Sequence, residues 1–321
     1  MKKKYFALLL FDVFVSASLF AQEKKHYEFM QSYDFPVASI QKVNARLSWG
    51  NIIMQGNSAD ETKVELFLCQ IDDGEAQWPK EKMQEEFNKH CSLDVKVENG
   101  ILNVYLKQKK QWSWKKFYTF RISRPELFII VKVNTNRKAD IQLNTDGGEI
   151  KIEKTTGNLA ALTEYGNIKA SDCSGEISLT AEHGSIILDK IDGNLKAYTD
   201  HGYIKGSDCK GTLLFDTDHG NIKLINIVGS MEAKAQNGNI SADIAAATDQ
   251  VKLSSYDGDV SLTLPKEKGY KVKIKAERID LKKEGVLFNG FATTKSVEGV
   301  INEGGAPVIV HADRIVKLMF K

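Results

Sequence analysis

The alternation of apolar and polar residues changes character along the chain and is most regular between residues 136 and 264. There a Gly followed two positions later by an apolar residue recurs at Gly148, Gly166, Gly184, Gly202, Gly220 and Gly238, in equal steps of eighteen positions. A second series, Gly157, Gly175, Gly193, Gly211 and Gly229, interleaves with the first at a spacing of nine. The residues two after these glycines are Ile150, Leu159, Ile168, Ile177, Ile186, Leu195, Ile204, Leu213, Ile222, Met231 and Ile240, an apolar set without a break. Between glycines the pattern has period two. Leu195, Ala197 and Thr199 fall on one side and Lys196, Tyr198 and Asp200 on the other. Period two predicts strands. The recurring Gly predicts a turn after each strand, through the positive φ that glycine tolerates. No Pro interrupts backbone pairing between Pro125 and Pro265.

Strand and turn in nine residues, repeated in register, predict an all-β, single-stranded β-solenoid (β-helix). Its 18-residue coils would each consist of two nine-residue strand-turn units. A left-handed hexapeptide helix would place apolar residues every six. A sandwich of hairpins leaves the matching columns unexplained. The flanks repeat the theme with departures. Trp49-Gly50-Asn51-Ile52 echoes Tyr165-Gly166-Asn167-Ile168, and Val64, Leu66 and Leu68 alternate as a strand. Leu93, Val95 and Val97 lead through an Asn99-Gly100 hairpin turn into Leu102, Val104 and Leu106. A short helix starting at Pro79 would carry Met83 and Phe87 on one face. The expected organisation is a signal peptide (1–21), an N-terminal capping β region with inserted hairpin and helix (22–135), regular coils (136–264), and C-terminal coils with a cap (265–321). Caps are expected because open solenoid ends would otherwise pair edge to edge.

Charge enters at the N-terminus. Lys2, Lys3 and Lys4 precede an apolar stretch from Phe6 to Phe20 that ends in small residues near Ala21, the pattern of a secretory signal. The stretch is short for a span of about 20 residues and contains Asp12. The chain is therefore expected to be exported, to the periplasm, the cell surface or the medium, with no transmembrane segment once mature. The formal net charge of +2 comes from this leader, because residues 22–321 hold 41 basic and 41 acidic side chains. A neutral chain argues against nucleic acid as a partner. Export permits disulfides. Cys173 and Cys209 share one column with Ile191 between them, roughly 9.6 Å apart on the inter-strand spacing. A bridge needs Cα atoms within about 7 Å. They are expected as buried thiols, whereas Cys69 and Cys91 lie outside the repeat and could pair.

The repeated Thr-x-x-Gly-x-Ile strands, the leading Gly-Asn-Ile strand, Leu264-Pro265 and Gly304-Gly305 resemble a bacterial adhesin-like β-helix family of unknown function, over most of residues 35–321. The resemblance implies a fold and an envelope role. It supplies no ligand and no catalytic residues. The family usually has Ser, Gly or Asn before the turn glycine. This chain has His183, His201 and His219 there, each preceded by an acid, Glu182, Asp200 and Asp218.

Stacked imidazoles beside carboxylates offer donors for zinc or another divalent metal, or a protonation switch. The plainer reading is a turn residue copied with the coil, since Tyr165 and Asn237 continue the column. No cofactor is otherwise expected. A second candidate is Lys109 to Tyr118, where Trp112, Trp114, Phe117 and Tyr118 are interleaved with Lys115 and Lys116. That mixture suits a glycan, an anionic lipid surface or a protein partner. Enzymatic chemistry has little to stand on. No Arg lies between Arg137 and Arg278, and Gly-x-Ser-x-Gly, His-Glu-x-x-His, phosphate-loop and calcium-nonapeptide motifs are missing. The expectation is a non-enzymatic surface presented to a cell-envelope protein or glycan. The alternatives are a metal- or pH-responsive scaffold and, behind it, a carbohydrate-active β-helix enzyme.

Overall fold

The computed structural model describes residues 27–36, 39–58, 61–70, 77–109 and 127–321. They form an all-β, solenoid-like repeat with one helix among the described residues. In the regular region neighbouring strands are parallel. Ile168 lies opposite Ile150 on one side and Ile186 on the other. Ile186 in turn faces Ile204, Ile204 faces Ile222, and Ile222 faces Ile240. A second row runs Leu159, Ile177, Leu195, Leu213 and Met231. Each residue thus stacks on its own kind, and the backbone of one turn of chain is hydrogen-bonded to the turns above and below.

Within the strand Ile168–His183 the buried residues are Ile168, Ala170, Cys173, Ile177, Leu179 and Ala181, none more than 3% exposed. Burial at about 1.5–3 kcal/mol for each large aliphatic side chain makes these columns the main source of cohesion. The inward phase slips once, over the odd step from Ala170 to Cys173, and the alternation is interrupted again at the half-buried Gly175 between Cys173 and Ile177. The slip sits on a left-handed residue, Asp172 at φ 53°. The same conformation recurs at Lys154, Lys190, Asp208 and Asn226 with φ between 52° and 58°. Gly175 has a positive φ, which Gly193, Gly211 and Gly229 share.

The expectation that positive φ explains every repeat glycine fails at the other corner. Gly166, Gly184, Gly202, Gly220 and Gly238 have no positive φ. They are glycines because a Cβ there would lie 1.8–2.0 Å from the carbonyl oxygen of the corner glycine one coil earlier. Several of those carbonyls are also capped from inside by buried hydroxyls. The Oγ1 atoms of Thr163, Thr199 and Thr217 donate to Gly148, Gly184 and Gly202 at 3.1, 2.6 and 3.2 Å.

The echo around Trp49 is a stacked coil. Lys42–Leu47 pairs in parallel with Asp140–Gly147, and Ile52 faces Ile150. Residues 42–57 therefore belong to the stack itself, and what covers it is narrower than the 22–135 block expected. Ile101–Gln108 and Leu127–Asn136 lie next, on Lys42–Leu47 and Asn51–Asn57 respectively. Beyond them run the antiparallel strands Cys91–Glu98, Glu61–Gln70 and Glu28–Pro36. Asn99 and Gly100, at φ 51° and 76°, make the expected hairpin turn. The helix Lys80–His90, capped by Pro79, buries Met83 and Phe87 and packs against the strands Glu28–Pro36, Glu61–Gln70 and Cys91–Glu98.

At the other end the order along the chain is not the order in the stack. Ala306–Ala312 inserts between the end of Ile240–Ser255 and Tyr270–Lys275. Ile315–Phe320 inserts between Val260–Leu264 and Arg278–Leu281. The hairpin partners Ser296–Ile301 and Phe288–Ala292 form the outermost layer.

All four cysteines are buried thiols. The Cys69–Cys91 bridge is thereby corrected. Glu61–Gln70 pairs with Glu28–Pro36 and Leu127–Asn136, while Cys91–Glu98 pairs with Ile101–Gln108, so the two cysteines sit on strands that never adjoin. The Cys69 thiol donates to the carbonyl of Gln70 at 3.2 Å. Burial pushes the Cys91 and Cys209 thiols up to about 11, which keeps them protonated and unreactive.

Candidate functional site: the histidine ladder

The column before the corner glycine runs through Gly147, Tyr165, His183, His201, His219 and Asn237. Trp49 enters it at the far end, its ring filling the space where a side chain on Gly147 would sit. Parallel pairing places the rungs Gly147–Tyr165, Tyr165–His183, His201–His219 and His219–Asn237 in register. Tyr165 and His183 stack with centroids 4.9 Å apart and planes at 23°. His183 and His201 are 5.1 Å apart but tilted by 40°. His201 and His219 are 4.7 Å apart and nearly parallel, at 5°.

The six residues singled out from sequence do not act as one group. The Oδ1 atom of Asp200 lies 3.2 Å from Nδ1 of His201 and 3.5 Å from Nδ1 of His219. The donor atoms of these three residues all lie within 4.8 Å of one another. Asp218 is engaged elsewhere, accepting a hydrogen bond from the Tyr198 hydroxyl at 3.1 Å. Glu182 and His183 are exposed and lie outside the converging set.

Tyr198 was not among the residues picked from sequence. In register it faces Asp216, and it reaches Asp218 diagonally across one coil. Moving one coil along from an outward residue finds the facing neighbour, and two positions more finds this diagonal. Burial, reinforced by the Asp218 contact, raises the Tyr198 hydroxyl above its ordinary range, so it stays a donor. Asp216 is also raised, chiefly by burial, with Asp218 and Glu232 adding to it against the lowering effect of Lys234.

Trp112, Trp114, Lys115, Lys116, Phe117 and Tyr118 lie outside the described residues. A shallow open groove is lined by Arg46, Ser48, Tyr105, Leu106, Lys107, Gln108 and Asp146. It offers one carboxylate, whereas glycoside hydrolysis generally uses two. Among the described residues, no helix is long and apolar enough to cross a membrane.

Parallel strands stacked on aligned columns, with small residues at the corners and solvated outer faces, define a solenoid-like all-β repeat protein. The chain belongs to the Toastrack DUF4097 family, whose model matches residues 70–314. This agrees with the resemblance carried by the repeated Gly-x-Ile strands. Among solved structures, a candidate adhesin from Bacteroides fragilis is 13% identical, over 92% of this chain and 97% of that one, with a TM-score of 0.40. A candidate cell adhesion protein from Clostridium sporogenes is 14% identical, over 93% and 100%, with a TM-score of 0.25. A candidate lipid-binding protein from Parabacteroides distasonis is 10% identical, over 89% and 96%, with a TM-score of 0.32. No curated protein matches the chain.

Proposed function

We propose that this protein is an exported, non-enzymatic solenoid of 18-residue coils that presents a repetitive, adhesin-like surface to a cell-envelope protein or glycan. The observation that carries the reading is the register. Because each outward residue sits over its counterpart one coil away, a chemical group repeated in sequence repeats in space at about 4.8 Å. Weak contacts along such a face add up when a partner is itself repetitive.

Charge sharpens the reading. Residues 136–264 carry 12 basic and 19 acidic side chains, whereas residues 265–321 carry 12 basic and 7 acidic. An acidic stack is thus joined to a basic end, and binding through either should weaken as salt rises.

The test is co-sedimentation of the purified chain with isolated cell envelopes across a salt series, together with a fusion of residues 1–21 to an export reporter. Saturable, salt-sensitive binding, reduced in a Trp112→Ala/Trp114→Ala variant, is the expected result. Retention of the reporter in the cytoplasm would overturn the reading, as would envelope binding no greater than that of an unrelated protein.

A further inference from the structure

The rungs of the histidine ladder are not equivalent. Only between His201 and His219 do two imidazoles lie parallel and turn their Nδ1 atoms toward one carboxylate oxygen. We propose that Asp200, His201 and His219 bind a single divalent transition-metal ion of the zinc class, joining two successive coils at their corner.

The argument is geometric. In a tetrahedral zinc site with bonds of about 2.0–2.2 Å, ligand atoms sit about 3.3 Å from one another. The two measured separations from Asp200, 3.2 and 3.5 Å, match two edges of such a tetrahedron. The third edge, between the two imidazoles, is at most 4.8 Å, the span within which one donor atom from each of the three residues falls. Rotation of a ring would close it: both histidine side chains are 53% exposed, and the contacts such a turn alters are the ring stacks along the ladder. The fourth corner faces solvent.

The donor set of two imidazoles and one carboxylate favours zinc, copper or nickel over calcium or magnesium, which prefer oxygen ligands alone. His183 is excluded by the same geometry. Its ring is tilted by 40° to that of His201, and Glu182 does not join the converging atoms. Asp218, which sequence alone would assign to His219, is held by Tyr198. His219 is served instead by the acid of the preceding coil.

Metal binding also accounts for a feature that a copied turn residue leaves idle. One carboxylate oxygen lies close to both imidazole Nδ1 atoms, an arrangement that a metal held between the three would use. Protons compete with the metal for the imidazole nitrogens, so affinity should fall on acidification. The inference is independent of which partner the surface meets.

The experiment is a zinc titration of the purified chain without a histidine tag, at neutral pH, followed by calorimetry and by the thermal midpoint. One zinc per chain is expected, with a higher midpoint when zinc is present. His201→Ala and His219→Ala should each weaken binding by at least about tenfold, the scale on which metal-site substitutions act. Asp200→Asn should weaken it as well, and His183→Ala should leave it unchanged. The histidine side chains are exposed and that of Asp200 half-buried at the surface, so far-UV circular dichroism should match the parent in every case. Absence of zinc binding in the parent chain would overturn the proposal. Binding unaffected by His201→Ala, or lost equally in His183→Ala, would do the same.

Discussion

The two kinds of corner in the regular stack are both marked by a glycine once per coil, and they share one reason for glycine but not the other. At Gly193 and Gly211 the backbone itself is unusual, with φ of 148° and 125°. At Gly202 and Gly220 the backbone is ordinary, and the obstacle is the carbonyl of the neighbouring coil, 2.0 and 1.8 Å from where a Cβ would be. The stacking obstacle is common to both columns, since a Cβ at Gly193 or Gly211 would also lie 2.2 or 2.1 Å from the carbonyl oxygen one coil earlier. The positive φ belongs to the first column alone. Identical punctuation in a sequence can therefore hide a conformational demand added to a packing demand in one column and a packing demand alone in the next.

The comparison can be broken most directly at Gly202. A Cβ there meets backbone, which cannot swing aside as a side chain can, so Gly202→Ala should destabilise the protein by about 3 kcal/mol or more. The counter-case is Gly100, at φ 76°, where a Cβ has no neighbour closer than 3.6 Å. Gly100→Ala should cost about 1–2 kcal/mol, the penalty of a left-handed L-residue alone. Urea denaturation of both variants separates the two demands. Equal losses would show that the stacking contact at Gly202 relaxes freely.

Next in size is Thr199→Val. It removes the hydrogen bond to the Gly184 carbonyl while keeping the buried volume, at a cost of about 1 kcal/mol by denaturant midpoint. Lys190 tests the left-handed column from the other direction. At φ 52°, Lys190→Gly relieves backbone strain and loosens the unfolded chain, so the net change should be under about 1 kcal/mol of either sign.

The smallest effect belongs to the flat faces between corners. Glu232 accepts hydrogen bonds from Lys234 and Lys252, at 2.9 and 3.0 Å, which hold its carboxyl below the ordinary carboxylate range. A depressed acid stabilises the fold above its unfolded pKa and loses that contribution as the pH falls through the folded one. Glu232→Gln should therefore lower stability by a few tenths of a kcal/mol at neutral pH, with the difference shrinking as the pH falls below the ordinary carboxylate range and in high salt. A difference that does not shrink on acidification or in high salt would point to packing instead of charge.

The site was legible in part. The spacing of His183, His201 and His219 predicted stacked imidazoles, and their centroids are 4.7–5.1 Å apart. Each histidine's acid is its sequence neighbour, but whether that acid turns toward its own imidazole or the next depends on side-chain rotation, which spacing does not encode. Asp200 serves His219, and Tyr198 captures Asp218, by diagonal contacts across one coil. The cysteines divide in the same way. Cys173 and Cys209 were placed by their column, and both are buried thiols. Cys69 and Cys91 lie outside the repeat, and their separation was settled only by which strands pair.

What the amino-acid order determined by itself was the repeat: strand, corner, inward column and the partner one period away. A period is one-dimensional information, and in a stack each residue meets its own counterpart, so period and contact coincide. Tertiary structure alone decided the ends and the meaning of the corners. Ala306–Ala312 and Ile315–Phe320 fold back between strands that precede them in the chain, a choice among several open edges that no local pattern distinguishes. The glycines at Gly202 and its equivalents owe their identity to an oxygen one coil away, a contact that exists only once the coils are stacked.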